Sequence, residues 1–214
     1  MGAGSFSLAE NYVYTVESFQ DALRQLRPDG LLVVTRWLQD PPSESVRAAA
    51  MLVSALERSG ISAPALHLAA FRSWSTMTLL ASPSPLSLSD METLRQGCEK
   101  LGYDLVYYPG MRREEANRHN ILPEPVYYDA LQQLLFTTDR RAFYRAQAYD
   151  VSPSTDNRPF FYHYFRWRQL PLILRQMGRV WQPFGGSGFL VILALLVMAL
   201  LAAALLILVP LRRL

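Results

Sequence analysis

Two short clusters hold the residue types that could do chemistry. Glu10, Asn11, Tyr12 and Tyr14 put a carboxylate, an amide and two phenols close together, a set able to orient a polar substrate by hydrogen bonds. Their structural alternative is that Tyr12 and Tyr14 pack a helix entrance which Glu10 caps. Thr155, Asp156 and Arg158 lie between aromatic runs, where Asp and Arg can make a charge-assisted pair that fixes the chain path. A structural or docking role is expected of them, and no catalytic residue is assigned.

Other chemistries lack their residues. His67, His119 and His163 are scattered, without the i, i+4 pairing or nearby carboxylates of a metal site, so no metal ligand is expected. No nucleophile elbow occurs. Cys98 is the sole cysteine, which excludes an internal disulfide and a Cys-based metal motif, and it reads as a small core residue of a helix. The formal charge is +3 and Lys100 is the only lysine. No basic patch with interleaved aromatics appears, so nucleic acid is not an expected partner.

The elements that must position these clusters can be followed along the chain. Thr15 is an N-cap for a helix with Val16, Phe19, Leu23 and Leu26 on one face, and Arg27-Pro28-Asp29-Gly30 turns into a strand over residues 31–35. That continuous apolar run predicts a strand covered on both faces. After Pro41 and Pro42, Ser43 opens a helix with a stripe of Val46, Ala49, Ala50, Val53 and Leu56, ending near Gly60. Residues 66–71 and 76–81 predict an antiparallel hairpin joined through Arg72, Ser73, Trp74 and Ser75. Ser89 and Glu92 suggest a capping box for a helix that stops at Gly102. A strand over 104–108 and short helices over 127–136 and 140–146 follow.

Residues 189–209 carry no charge, and as a helix they would extend about 32 Å, enough for the roughly 30 Å hydrocarbon layer of a bilayer. Before them, Trp167, Leu170, Ile173, Leu174, Met177, Val180 and Trp181 recur at helical spacing with Arg168, Arg175 and Arg179 on another face, the pattern of a basic interfacial helix. Arg166, Arg168, Arg175 and Arg179 before the run outnumber Arg212 and Arg213 after it, which places the N-terminal region in the cytoplasm. Residues 1–10 have neither the basic start nor the apolar stretch of a signal peptide.

Two segments are specific enough to compare with a family. Ser7-Leu8-Ala9-Glu10-Asn11-Tyr12-Val13-Tyr14-Thr15-Val16-Glu17-Ser18-Phe19, continuing into Leu26-Arg27-Pro28-Asp29-Gly30-Leu31-Leu32-Val33-Val34-Thr35-Arg36-Trp37, resembles the spermidine/spermine synthase-like domain of bacterial multi-spanning membrane proteins. Ser154-Thr155-Asp156-Asn157-Arg158-Pro159-Phe160-Phe161 resembles the Thr-Asp-Asp-Arg-Pro-Phe segment at the end of that domain, with Asn157 in place of the commoner second Asp.

The resemblance implies an α/β fold: the C-terminal half of a Rossmann-like methyltransferase/spermidine synthase sheet with an antiparallel hairpin, followed by one transmembrane helix. Residues 1–164 would be the partial domain, 165–187 the basic interfacial segment and 188–210 the span. It places Glu10, Asn11, Tyr12 and Tyr14 on the substrate side, near the carboxyl edge of the sheet. It implies S-adenosylmethionine or its decarboxylated form as cofactor of the full-length parent, and none for this fragment alone. The Gly-rich nucleoside loop and the catalytic Asp are absent here, and Gly2-Ala3-Gly4 has no strand before it. The expected partners are a lipid bilayer and the missing N-terminal half of the domain or further transmembrane helices, and the expected location is a bacterial inner membrane. The implied function is a fragment of a membrane-anchored alkyl transferase, inactive alone. The alternative is a noncatalytic membrane scaffold or transporter-associated domain that retains the fold.

Overall fold

The computed structural model describes residues 9–39, 41–167 and 188–208. Helix α1 (Val16–Gln25) starts where Thr15 Oγ1 accepts the Ser18 amide at 3.2 Å, and it buries Val16, Phe19 and Leu23. Strand β1 (Leu32–Trp37) follows, then α2 (Glu44–Arg58), whose side chains from Glu44 to Val53 are all buried, so this helix is covered nearly all round rather than along one stripe. Strands β2 (Leu68–Arg72) and β3 (Thr76–Ala81) form the hairpin, in which the Ser73 hydroxyl accepts the amides of Ser75 and Thr76 and closes the turn.

Helix α3 (Leu88–Leu101) opens on a capping box made by Ser87 and Asp90, not Ser89 and Glu92, and it ends at Gly102, whose φ of 66° is the left-handed conformation that glycine adopts without a Cβ penalty. Strand β4 (Asp104–Tyr107), α4 (Val126–Phe136) and α5 (Arg140–Ala146) complete the body. Helix α6 (Gly188–Ala203) continues as a π-helical turn over Ala204–Leu208.

The sheet order is β1-β3-β2-β4, and every neighbouring pair of strands is antiparallel. The expectation of half a Rossmann-like sheet is therefore corrected to a mixed α/β fold with a four-stranded antiparallel sheet. The reason is the tight turn at Ser73, which folds β3 straight back on β2 and leaves its other edge to take β1 in an unbroken register from Leu32↔Ala81 to Trp37↔Thr76.

One face of the sheet, with Val34, Leu68, Ala70, Met77, Leu79 and Ala81, packs into a single core with α1, α2, α4 and α5. The other face carries a smaller cluster under α3, where Met91 and Leu94 lie on Ala69 and Leu80. Helix α3 does not reach β1, so Leu31, Val33 and Trp37 are 46%, 56% and 59% exposed. The strand expected to be buried on both faces is thus covered on one.

No helix among the described residues is long and apolar enough to cross a membrane. Helix α6 has 16 residues before the backbone changes to π geometry, about 24 Å of α-helix against a hydrocarbon layer of roughly 30 Å. The expected transmembrane helix over 188–210, and with it the membrane location and cytoplasmic placement, is corrected on this finding. The interfacial helix expected over 165–187 lies, from Arg168 onward, outside the described residues, as do Gly2-Ala3-Gly4.

Candidate functional site

The two clusters that carry the resemblance meet in space. The Asn11 amide donates to the Pro159 carbonyl at 2.6 Å, the Val16 amide to Ser154 O at 2.9 Å, and the Ser154 hydroxyl to Tyr14 O at 2.8 Å. The Tyr14 ring stacks on Phe161 with centroids 4.6 Å apart. The chain after α5 therefore returns to the entrance of α1 and seals it.

Tyr14 belongs to a buried polar site that local spacing could not reveal. Arg36, at the end of β1, donates to the Tyr14 hydroxyl at 2.7 Å and the Tyr162 hydroxyl at 3.1 Å, and its Nε and Nη2 both bond Glu44 Oε1 at the start of α2. Its guanidinium carbon lies 4.7 Å from the Tyr14 ring centroid and 5.3 Å from that of Phe161, within cation–π range. Burial works to lower the Arg36 pKa, but the Glu44 carboxylate outweighs it and raises the value. Burial likewise lifts the Glu44 carboxyl against the pull of Arg36. Two residues after inward-facing Val34, Arg36 faces the core, and a charge at an inward strand position is the signal by which sequence could have found it.

The remaining candidates stand apart from Arg36. Glu10 Oε2 accepts the Tyr12 hydroxyl at 3.0 Å, and this bond raises the phenol pKa while Tyr12 stays 55% exposed. Thr155 and Arg158 pair across a turn closed by Arg158 N to Thr155 O at 2.8 Å, and the Asp156 amide donates to Glu17 Oε2 at 3.0 Å. Asp156 and Arg158 form no ion pair with each other. The turn is instead pinned through its backbone to α1, and Glu17 also pairs with Arg58 at 2.5 Å.

Two further buried charges were not foreseen. Arg47, in the middle of the buried helix α2, donates through Nε to Ser152 O at 2.8 Å and through Nη1 to Phe161 O at 2.6 Å, His163 O at 3.0 Å and Phe160 O at 3.2 Å. Asp150 lies 3.7 Å from it, and burial pulls the Arg47 pKa down to about 10. Arg72 ends β2 rather than sitting at the hairpin tip. It pairs with Asp104 at 3.1 Å and bonds Asn117 Oδ1 at 2.8 Å. Burial works to raise the Asp104 pKa, but the amides of His119 and Asn120 and the charge of Arg72 hold it below the ordinary carboxylate value.

These arrangements hold backbone and neutralise buried charge. Among the described residues no glycine loop follows a strand, and the buried carboxylates of Glu44, at the start of α2, and Asp104, at the start of β4, are each paired with an arginine. No group of His, Cys, Asp and Glu able to hold a metal ion occurs among the described residues. The geometry carries no mark of transferase or polyamine chemistry. No protein-family model, curated protein or solved structure matches the chain.

Proposed function

We propose that this domain is a noncatalytic part of an S-adenosylmethionine-dependent transferase of the spermidine synthase-like kind. The observation that carries the reading is the meeting of the two resembling segments, Asn11 against Pro159 and Tyr14 against Phe161, on one side of α1. The free edge of β1 supports it. Among the described residues that strand is bonded on one side only, and Leu31, Val33 and Trp37 present apolar surface beside the open edge, where a partner segment can add.

A second reading, a scaffold that keeps a fold without its chemistry, is favoured by the use of Glu44, Asp104 and Arg47 as internal ties. Calorimetry with S-adenosylmethionine and with its decarboxylated form separates the two. The chain alone binds neither. On the transferase reading, a longer protein that contains this chain binds one of them. Binding by the chain alone overturns the noncatalytic role, and no binding by such a longer protein leaves the scaffold.

A further inference from the structure

A cleft of about 470 Å³ lies between α3 and the outer face of the sheet, away from Arg36 and from the 154–161 turn. Its floor is Ala69 and Leu80, its walls are Met91 and Leu94 of α3, and Leu31 closes the end nearest β1. The volume lies in the range of small-molecule sites, which are mostly apolar with a few placed polar groups. Here those groups have one sign. Asp29 and Asp90 line the cleft, and no Lys, Arg or His among the described residues does.

The two carboxylates are differently placed. Asp90 is fixed by the α3 capping box, its Oδ2 accepting both the Ser87 amide at 2.8 Å and the Ser87 hydroxyl at 2.7 Å. Asp29 is exposed in the turn before β1 and makes no ion pair or side-chain hydrogen bond among the described residues. On the floor the Ser82 hydroxyl, 4% exposed, accepts the Ser84 amide at 3.2 Å and finds no acceptor for its own proton among the described residues. An apolar trough with an acidic mouth selects a ligand with a hydrophobic body and a positive head.

We infer that this cleft binds a small organic monoamine, its aryl or alkyl body on Ala69, Leu80, Met91 and Leu94 and its ammonium toward Asp29 and Asp90. The site does not rest on the transferase reading, because it needs no nucleoside, although it shares Leu31 with the β1 edge.

Three probes with one body and different heads test it: 4-phenylbutylamine, 4-phenylbutanol and 4-phenylbutyrate, titrated into the protein by calorimetry and followed by amide NMR shifts. The amine binds best, the alcohol less well and the carboxylate least, with shifts centred on residues 28–31, 80–86 and 90–94. Asp29→Asn weakens the amine about threefold to fivefold, as expected of a solvent-exposed ion pair, and leaves the alcohol unchanged. Thr93→Trp, on the exposed cleft side of α3, fills the trough and removes binding of all three without lowering the thermal midpoint. Equal binding of the three heads, shifts centred elsewhere, or no binding at millimolar concentration overturns the assignment. Should the Trp variant unfold, the location of the shifts and the Asp29→Asn response decide it alone.

Discussion

Arg36 and Glu44 form an ion pair with side chains only 12% and 1% exposed, joining the end of β1 to the start of α2 beneath Tyr14 and Tyr162. Taking two charges out of water is costly, so the pair is a conditional tie: stable when complete, unfavourable when halved. Glu44→Gln leaves the guanidinium without its counter-charge and is expected to cost about 3 kcal/mol. Arg36→Met with Glu44→Leu is expected to cost less than either single change. Urea unfolding of Arg36→Met, Glu44→Leu and the double variant measures the coupling, and additive costs would refute it.

Arg47 ties α2 to the chain that returns over it. Lysine in its place has one ammonium and cannot reach carbonyls as far apart in the chain as Ser152 and His163, so Arg47→Lys is expected to destabilise by about 3 kcal/mol. The sharper readout is local. Hydrogen exchange over residues 152–165 should accelerate more than in α3, which touches none of these groups.

Asp104 gives the fold a defined acid response. Its pKa is depressed in the folded state, so its contribution is complete above the unfolded carboxylate value of about 3.9 and is lost as pH falls through the lower folded value. Asp104→Asn should lower stability at pH 7 by about 2 kcal/mol, a charged hydrogen-bond cost. The gap to the parent protein should close as the pH approaches 2. A gap that stays constant down to pH 2 would remove Asp104 as its source.

The start of α3 separates two serines two positions apart. Ser87→Ala removes the N-cap and is expected to cost about 1 kcal/mol, whereas Ser89→Ala should be within about 0.5 kcal/mol of neutral. Thermal unfolding of both variants checks the assignment.

Much of the element order was readable because it rests on local physics. The Thr15 cap, the Gly102 stop, the hairpin and the short helices before and after residue 138 each depend on a few neighbouring residues. Ser87 was overlooked because Asp90 is a shorter acid than the Glu or Gln usual at the third helical position, yet it still reaches back. The apolar run at Leu31 predicts burial on both faces, since its pattern says nothing about how far α3 extends. The pairings of Arg36 with Glu44, Arg72 with Asp104 and Arg47 with the 152–163 carbonyls are not legible in the sequence for another reason, although the inward position of Arg36 on β1 marks that residue itself. Each joins elements through tertiary contact, and the first two were masked by their places at strand and helix ends. The polar-aromatic clusters could be named from their residue types, but their contact with each other depends on the return of the chain after α5.

The β1 edge offers a test by charge. Val33→Lys with Trp37→Lys replaces exposed apolar surface by the charges that protect natural sheet edges. Unfolding free energy should stay within about 0.5 kcal/mol of the parent. Light scattering at raised concentration should fall, and unchanged scattering would show that this edge is not adhesive.

The position of β3 between β1 and β2 also sets a timetable for biosynthesis. Strand β1 leaves the ribosome long before the strand that pairs with it among the described residues, since Ala81 is translated roughly 40 residues after Trp37, about 2–8 s at ordinary elongation rates. During that interval the β1 backbone travels with neither edge paired, so early docking of α1 and α2 is the cover its own sequence can supply.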